Sequence, residues 1–78
     1  NGRMSMYHFP YDGAEYIFLD YASTMLDNVH LDASLNGKTI EVIESVNTEL
    51  VTDIYNDGFL VNATYVEGET CYLVAKIK

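Results

Sequence analysis

Cys71 is the chain's one thiol, and with His8 or His30 it could form a nucleophile and its general base. Activation would need a lowered thiol pKa, and no Lys, Arg or glycine-rich turn flanks Cys71 to supply it. A small buried packing residue is the expectation instead. A metal site would have to be assembled from His8 and His30 with Asp20, Asp27 and Asp32. The chain has no His-x-x-His or Glu-x-x-His spacing and no calcium loop of alternating acids closed by Glu. Asn56-Asp57-Gly58 reads as a turn first. The five glycines are scattered singly, so no phosphate-cradling pattern exists. Paired carboxylates for acid–base work would need a cleft, and a core of this size leaves little room for one. The residues therefore point away from an enzyme, a cofactor and a metal.

Charge is more informative than chemistry. Twelve Asp and Glu face four Lys and Arg, for a net charge of −8. Five acids and no base lie between Met4 and Gly37, and seven acids and no base between Thr39 and Ala75. Such a surface repels nucleic-acid phosphates and anionic lipid, whose binding needs Lys or Arg to displace counterions. It attracts basic protein surfaces and speeds encounter with them. The plain alternative is that the acids only keep a tyrosine-rich domain soluble. Seven tyrosines are the other departure from ordinary composition. Tyrosine suits half-buried sheets and protein interfaces alike, because an apolar body carries a polar tip.

The elements that must position these residues follow from turns and periodicity. Seventy-eight residues make one domain, over 1–78, with an apolar fraction of 49% that supports a core. Asn1-Gly2-Arg3 precedes Met4, so residues 1–3 read as a cloning remnant before the initiator. Apolar runs such as Tyr16 to Leu19 are far too short to span a bilayer or form a signal core. The sequon at Asn62-Ala63-Thr64 is taken as chance, because no secretion signal is present. One cysteine excludes an internal disulfide and fits a reducing cytoplasm.

Asp12-Gly13-Ala14-Glu15 resembles a capping box, and Phe18, Ala22, Met25, Leu26 and Val29 recur at helical spacing. A helix over about 13–28 is expected, preceded by a short strand from Met4 to Phe9. The rival is a hairpin turning at Pro10 to Gly13, with Tyr16 to Tyr21 as its second strand. Asn36-Gly37 predicts a type I′ hairpin pairing Leu35 with Lys38, Ala33 with Ile40 and Leu31 with Val42. Phe59–Val66 and Thr70–Lys78 flank Glu67-Gly68-Glu69, which predicts a second hairpin. Its pairs are Tyr65 with Cys71, Ala63 with Leu73, Val61 with Ala75 and Phe59 with Ile77. Asp57-Gly58 is expected to turn a strand over Leu50–Tyr55 back, with Thr52 against Ala63 and Ile54 against Val61. A helix over that stretch is the competing pattern. The sum is an α+β domain, one helix on an antiparallel β-meander of four to five strands, with an all-β small barrel as the alternative.

In this register Tyr72 and Val74 lie on the outer sheet face, where a patch of Tyr and Val flanked by acids would dock a partner. Glu41, Glu44, Glu67, Glu69 and Tyr72 are the candidate interface residues. The expected function is a small acidic, non-enzymatic protein-binding domain with a basic partner, binding neither nucleic acid nor membrane. Its sharper form is an inhibitor, encoded by a phage or mobile element, that occupies the basic surface of a nucleic-acid-binding protein. The rivals are a homo-oligomeric architectural module whose last strand pairs across a subunit boundary, a small metal- or ligand-binding domain, and an accessory domain of a larger protein.

Overall fold

The structure, a computed structural model, describes residues 3–78. The placement of Asn1 and Gly2 in a cloning remnant lies outside the described residues.

Asp12 and Gly13 both take positive φ, 52° and 78°. Two successive left-handed residues make a type I′ turn, which folds β1 (Met4–Tyr11) back on β2 (Ala14–Tyr21). The register is unbroken from Tyr11 opposite Ala14 to Met4 opposite Tyr21. The helix expected over 13–28 is therefore absent. An N-cap holds an extended backbone, and Asp12 is left-handed. The apparent helical stripe is divided between β2 and β3 (Met25–Val29). Its true period is two: Ile17, Leu19 and Tyr21 are buried on one face. The alternation was masked because Tyr16 and Phe18, on the opposite face, are also aromatic. Met4 to Phe9 does lie within a strand, and the hairpin weighed as the rival is the one that forms.

Asn36-Gly37 turns the chain, but in another way. Asn36 is at φ −56° and ψ 137° with Gly37 at φ 87°, and Lys38 N–H donates to the Leu35 carbonyl at 3.1 Å. That is a type II turn, which splays its flanks instead of continuing a hairpin. It follows a single 3₁₀ turn over Ala33–Leu35 whose first residue is capped by Asp32, which accepts from Ser34 N–H at 3.0 Å. The Leu31–Val42 pairing does not exist.

The remaining strands are β4 (Ile40–Val46), β5 (Thr48–Leu50), β6 (Phe59–Ala63) and β7 (Tyr72–Ile77). They complete two antiparallel sheets, a four-stranded one ordered β1-β2-β7-β4 and a three-stranded one ordered β3-β6-β5. Among the described residues there is no α-helix, so the α+β expectation is corrected and the all-β alternative fits. The predicted pairing of β6 with β7 is also corrected, since they sit in different sheets. The facing of their side chains was nonetheless right: Phe59, Val61, Ala63, Cys71, Leu73, Ala75 and Ile77 are all buried. They meet across the interior, face to face, instead of side by side in one sheet. Tyr65 is the exception and stays exposed.

The strand before Asp57-Gly58 is Thr48–Leu50, not Leu50–Tyr55, and pairs Thr48 with Ala63 and Leu50 with Val61. Beyond it the chain leaves the sheet apart from one bridge, Thr39 with Ile54. Tyr55 then plugs the core, fully buried, its hydroxyl accepting from Leu31 N–H at 2.7 Å. β7 is hydrogen-bonded on both sides, to β2 and β4. The last strand consequently has no free edge with which to cross a subunit boundary. No helix among the described residues is long and apolar enough to cross a membrane.

Candidate interface on the outer face of the four-stranded sheet

The three-stranded sheet covers one face of the four-stranded sheet, and the other face is open. Alternation places every second side chain of each strand on that open face. From β1 these are Ser5, Tyr7, Phe9 and Tyr11, and from β2 Ala14, Tyr16, Phe18 and Asp20. From β7 come Tyr72, Val74 and Lys76, and from β4 Glu41, Glu44 and Val46. The registers stack them in rows: Tyr7 beside Phe18, Val74 and Glu44, and Phe9 beside Tyr16, Lys76 and Glu41.

Six aromatic rings share this surface in two touching groups of three. Phe9 and Tyr16 are stacked with centroids 5.8 Å apart, and Tyr11 meets Tyr16 edge-on at 5.9 Å. Tyr7 lies 6.1 Å from Phe18, which lies 5.9 Å from Tyr72. Such pairs contribute about 0.5–1.5 kcal/mol beyond area burial, so the rings hold one another as a platform. They remain open to solvent: Tyr7 is 61% exposed, Phe9 40% and Tyr11 66%.

Carboxylates border the platform. Tyr72 donates its hydroxyl hydrogen to Glu44, and that bond, ahead of burial, raises the phenol's pKa above the ordinary tyrosine value. Asp20 lies opposite Tyr72 on β2. Glu41 bonds Lys78 Nζ at 2.7 Å, which lowers its pKa from the usual glutamate value. All three lysines gather at one end, where Lys38, Lys76 and Lys78 line an open depression of about 370 Å³ with Asp12 and Glu15. The face therefore grades from acids around Asp20, Glu44 and Tyr72 to mixed charge around Lys76.

Of the five residues singled out in the sequence, Glu41, Glu44 and Tyr72 come together on this face. Glu67 and Glu69 do not; they stand in the exposed loop between β6 and β7. Glu69 accepts from Asn47 Nδ2 at 3.0 Å and so braces the corner between β4 and β5. Tyr7, Phe9, Tyr11, Tyr16 and Phe18 were missed as a group. Their signal was present: aromatics at 7, 9, 11 and at 16, 18 superpose once Asp12-Gly13 is given a type I′ turn.

Cys71 is buried, with its thiol 3.5 Å from Thr48 Oγ1 and donating to the Asn47 carbonyl at 3.4 Å. Neither histidine approaches it among its bonded partners, and His8 pairs instead with Glu15 at 2.9 Å. Among the described residues no three of His, Cys, Asp and Glu converge where they could hold a metal ion. What this surface can do chemically is stack: flat rings for apolar or cationic groups, and carboxylates at the margin for their charge. No protein-family model matches the chain, and no curated protein or solved structure matches it either.

Proposed function

We propose that the chain is a non-enzymatic, cytoplasmic protein-binding domain and that the outer face of the four-stranded sheet docks a basic protein surface. One observation carries the proposal: six aromatic rings, in two touching groups of three, lie on a sheet face bordered by Asp20, Glu41 and Glu44. A guanidinium laid on a tyrosine or phenylalanine face gains about 0.5–2 kcal/mol, and a nearby carboxylate adds charge pairing. The net charge of −8 draws such a partner in. In the sharper form, the partner's basic surface is one that otherwise binds nucleic acid, and this face takes the place of the phosphates. The same rings would stack on sugars; the bordering carboxylates are what favour a cation.

An arginine-rich peptide titrated against the protein at low salt, followed by amide chemical shifts, tests the proposal. Shifts should cluster on β1, β2 and β7. The doubly substituted Tyr7→Ser, Tyr11→Ser protein should bind about tenfold more weakly while still folding cooperatively, its melting temperature lowered only by the two lost ring pairs, since both rings are mostly exposed. Undiminished binding by that variant, or binding of a neutral glycan in place of the peptide, would overturn the assignment. Competition by duplex DNA for a captured basic protein separates the sharper form from the general one.

A further inference from the structure

The two edges of the four-stranded sheet differ. β4 is protected as natural edges usually are, by a bulge at Ile43, where the register breaks between Val42 and Glu44, and by Glu41 and Glu44. β1 has neither device. Its register is continuous over all eight residues, and it carries no Asp, Glu, Lys or Arg.

The phase of β1 follows from its turn. In a two-residue hairpin the residues flanking the loop, here Tyr11 and Ala14, exchange both hydrogen bonds, and the pattern alternates from there. Phe9, Tyr7 and Ser5 therefore bond β2, and Ala22 N–H donating to the Arg3 carbonyl at 2.9 Å extends the same phase. Met4, Met6 and His8 point N–H and C=O outward, as does the carbonyl of Pro10. Pro10 fits this strand because its missing N–H would have faced solvent. It closes one end of the edge and leaves three alternate residues, Met4, Met6 and His8, with donors and acceptors unpaired by the sheet.

Resting on the protein-binding reading above, we propose that this edge takes up an extended basic segment of the partner as a fifth strand. The added strand alternates its side chains between two surfaces. One set lies against Tyr7, Phe9 and Tyr11, which suit arginine or lysine. The other set lies on the inner side beside Met6, itself 40% exposed, which suits aliphatic residues. Asp20 lies opposite Ser5 on β2 beside this edge, while the three lysines gather with Asp12 and Glu15 at the turn end of the sheet. A second copy would bring −8 against −8, whereas a basic segment is complementary.

The test uses a fluorescent peptide of about ten residues alternating valine and arginine, the length such an edge accommodates. Met6→Pro removes one outward N–H and leaves the bonds to β2 intact, so the protein should fold and bind about tenfold more weakly. On the wild-type protein, peptide should slow hydrogen exchange at the Met6 and His8 amides, a readout independent of how the proline variant folds. If Met6→Pro folds and binds normally while Tyr7→Ser, Tyr11→Ser does not, the edge proposal falls and the face proposal stands. If Met6 and His8 amides exchange unchanged in saturating peptide, the edge proposal also falls. If neither variant alters binding, both proposals fail. A wild-type dimer in sedimentation that Met6→Pro abolishes would make the occupant a second copy and overturn the basic partner.

Discussion

Tyr21 is the residue at which the interior is least satisfied. It is 3% exposed, and its hydroxyl is buried beside the Asp27 carboxylate without a hydrogen bond of ordinary geometry, a state native interiors rarely tolerate. Burial first, then the nearby charge of Asp27, drives its pKa far above the ordinary tyrosine value of 10.0. Because the folded value is raised, the associated stability is complete below about pH 10 and is lost as pH climbs towards the folded value. Tyr21→Phe should therefore flatten the alkaline limb of the stability profile. At neutral pH it should be neutral or stabilising by about 1 kcal/mol, since an unpaired buried hydroxyl is removed. Urea denaturation at neutral pH and at about pH 11 measures both effects. A marked loss of stability at neutral pH would mean that the hydroxyl has a partner after all. In sequence, Tyr21 is one tyrosine among seven. Only the packing of the sheets separates it from Tyr7 and Tyr11, which face water.

Among the elements, the corner at Asn47 decides how the sheets are joined. Its φ of 52° swings the chain from β4 in one sheet to β5 in the other. Its side chain donates to Glu69 and to the Thr70 carbonyl, both at 3.0 Å, and its carbonyl accepts from Thr64 N–H at 2.8 Å. Asn47→Ala should lose about 2 kcal/mol, from the two side-chain bonds and a left-handed alanine. Asn47→Gly should lose about half as much, because glycine takes that φ freely; equal losses would show that backbone strain plays no part. Gly58 is the second such point, at φ 136°, where an added Cβ would come within 2.5 Å of Asn28 Oδ1. Gly58→Ala should lower stability by about 1–3 kcal/mol, and adding Asn28→Ala should recover the part due to the clash. Thermal melts of the single and double variants separate the two. Turn chemistry of this kind was half legible. Asp12-Gly13 and Asn36-Gly37 are both plain turn signals, yet the type I′ geometry went to the first, and the second became type II. Both dipeptides permit either outcome, and the flanking segments' tertiary contacts choose.

For the whole molecule, the dimensions of 35 × 24 × 16 Å describe a plate, within which the four-stranded sheet has one face packed and the other aromatic. A surface of net charge −8 meeting a basic partner should associate more slowly as salt rises, with dissociation less affected. Stopped-flow measurements across a salt series check this, and a salt-independent association rate would remove steering from the account. Charge, the number of acids and their spread between the few bases were determined by composition alone. So was the inward facing of Phe59, Val61, Ala63, Leu73, Ala75 and Ile77, because a period of two is written along each strand. Which strand lies beside which was decided only by the tertiary structure. Alternation specifies a face and never a neighbour, so β6 and β7 could present the same residues inward from one sheet or from two. The aromatic platform is divided between the two: five of its rings lie on the β1–β2 hairpin and follow from its turn, and only the tertiary pairing of β2 with β7 brings Tyr72 beside them.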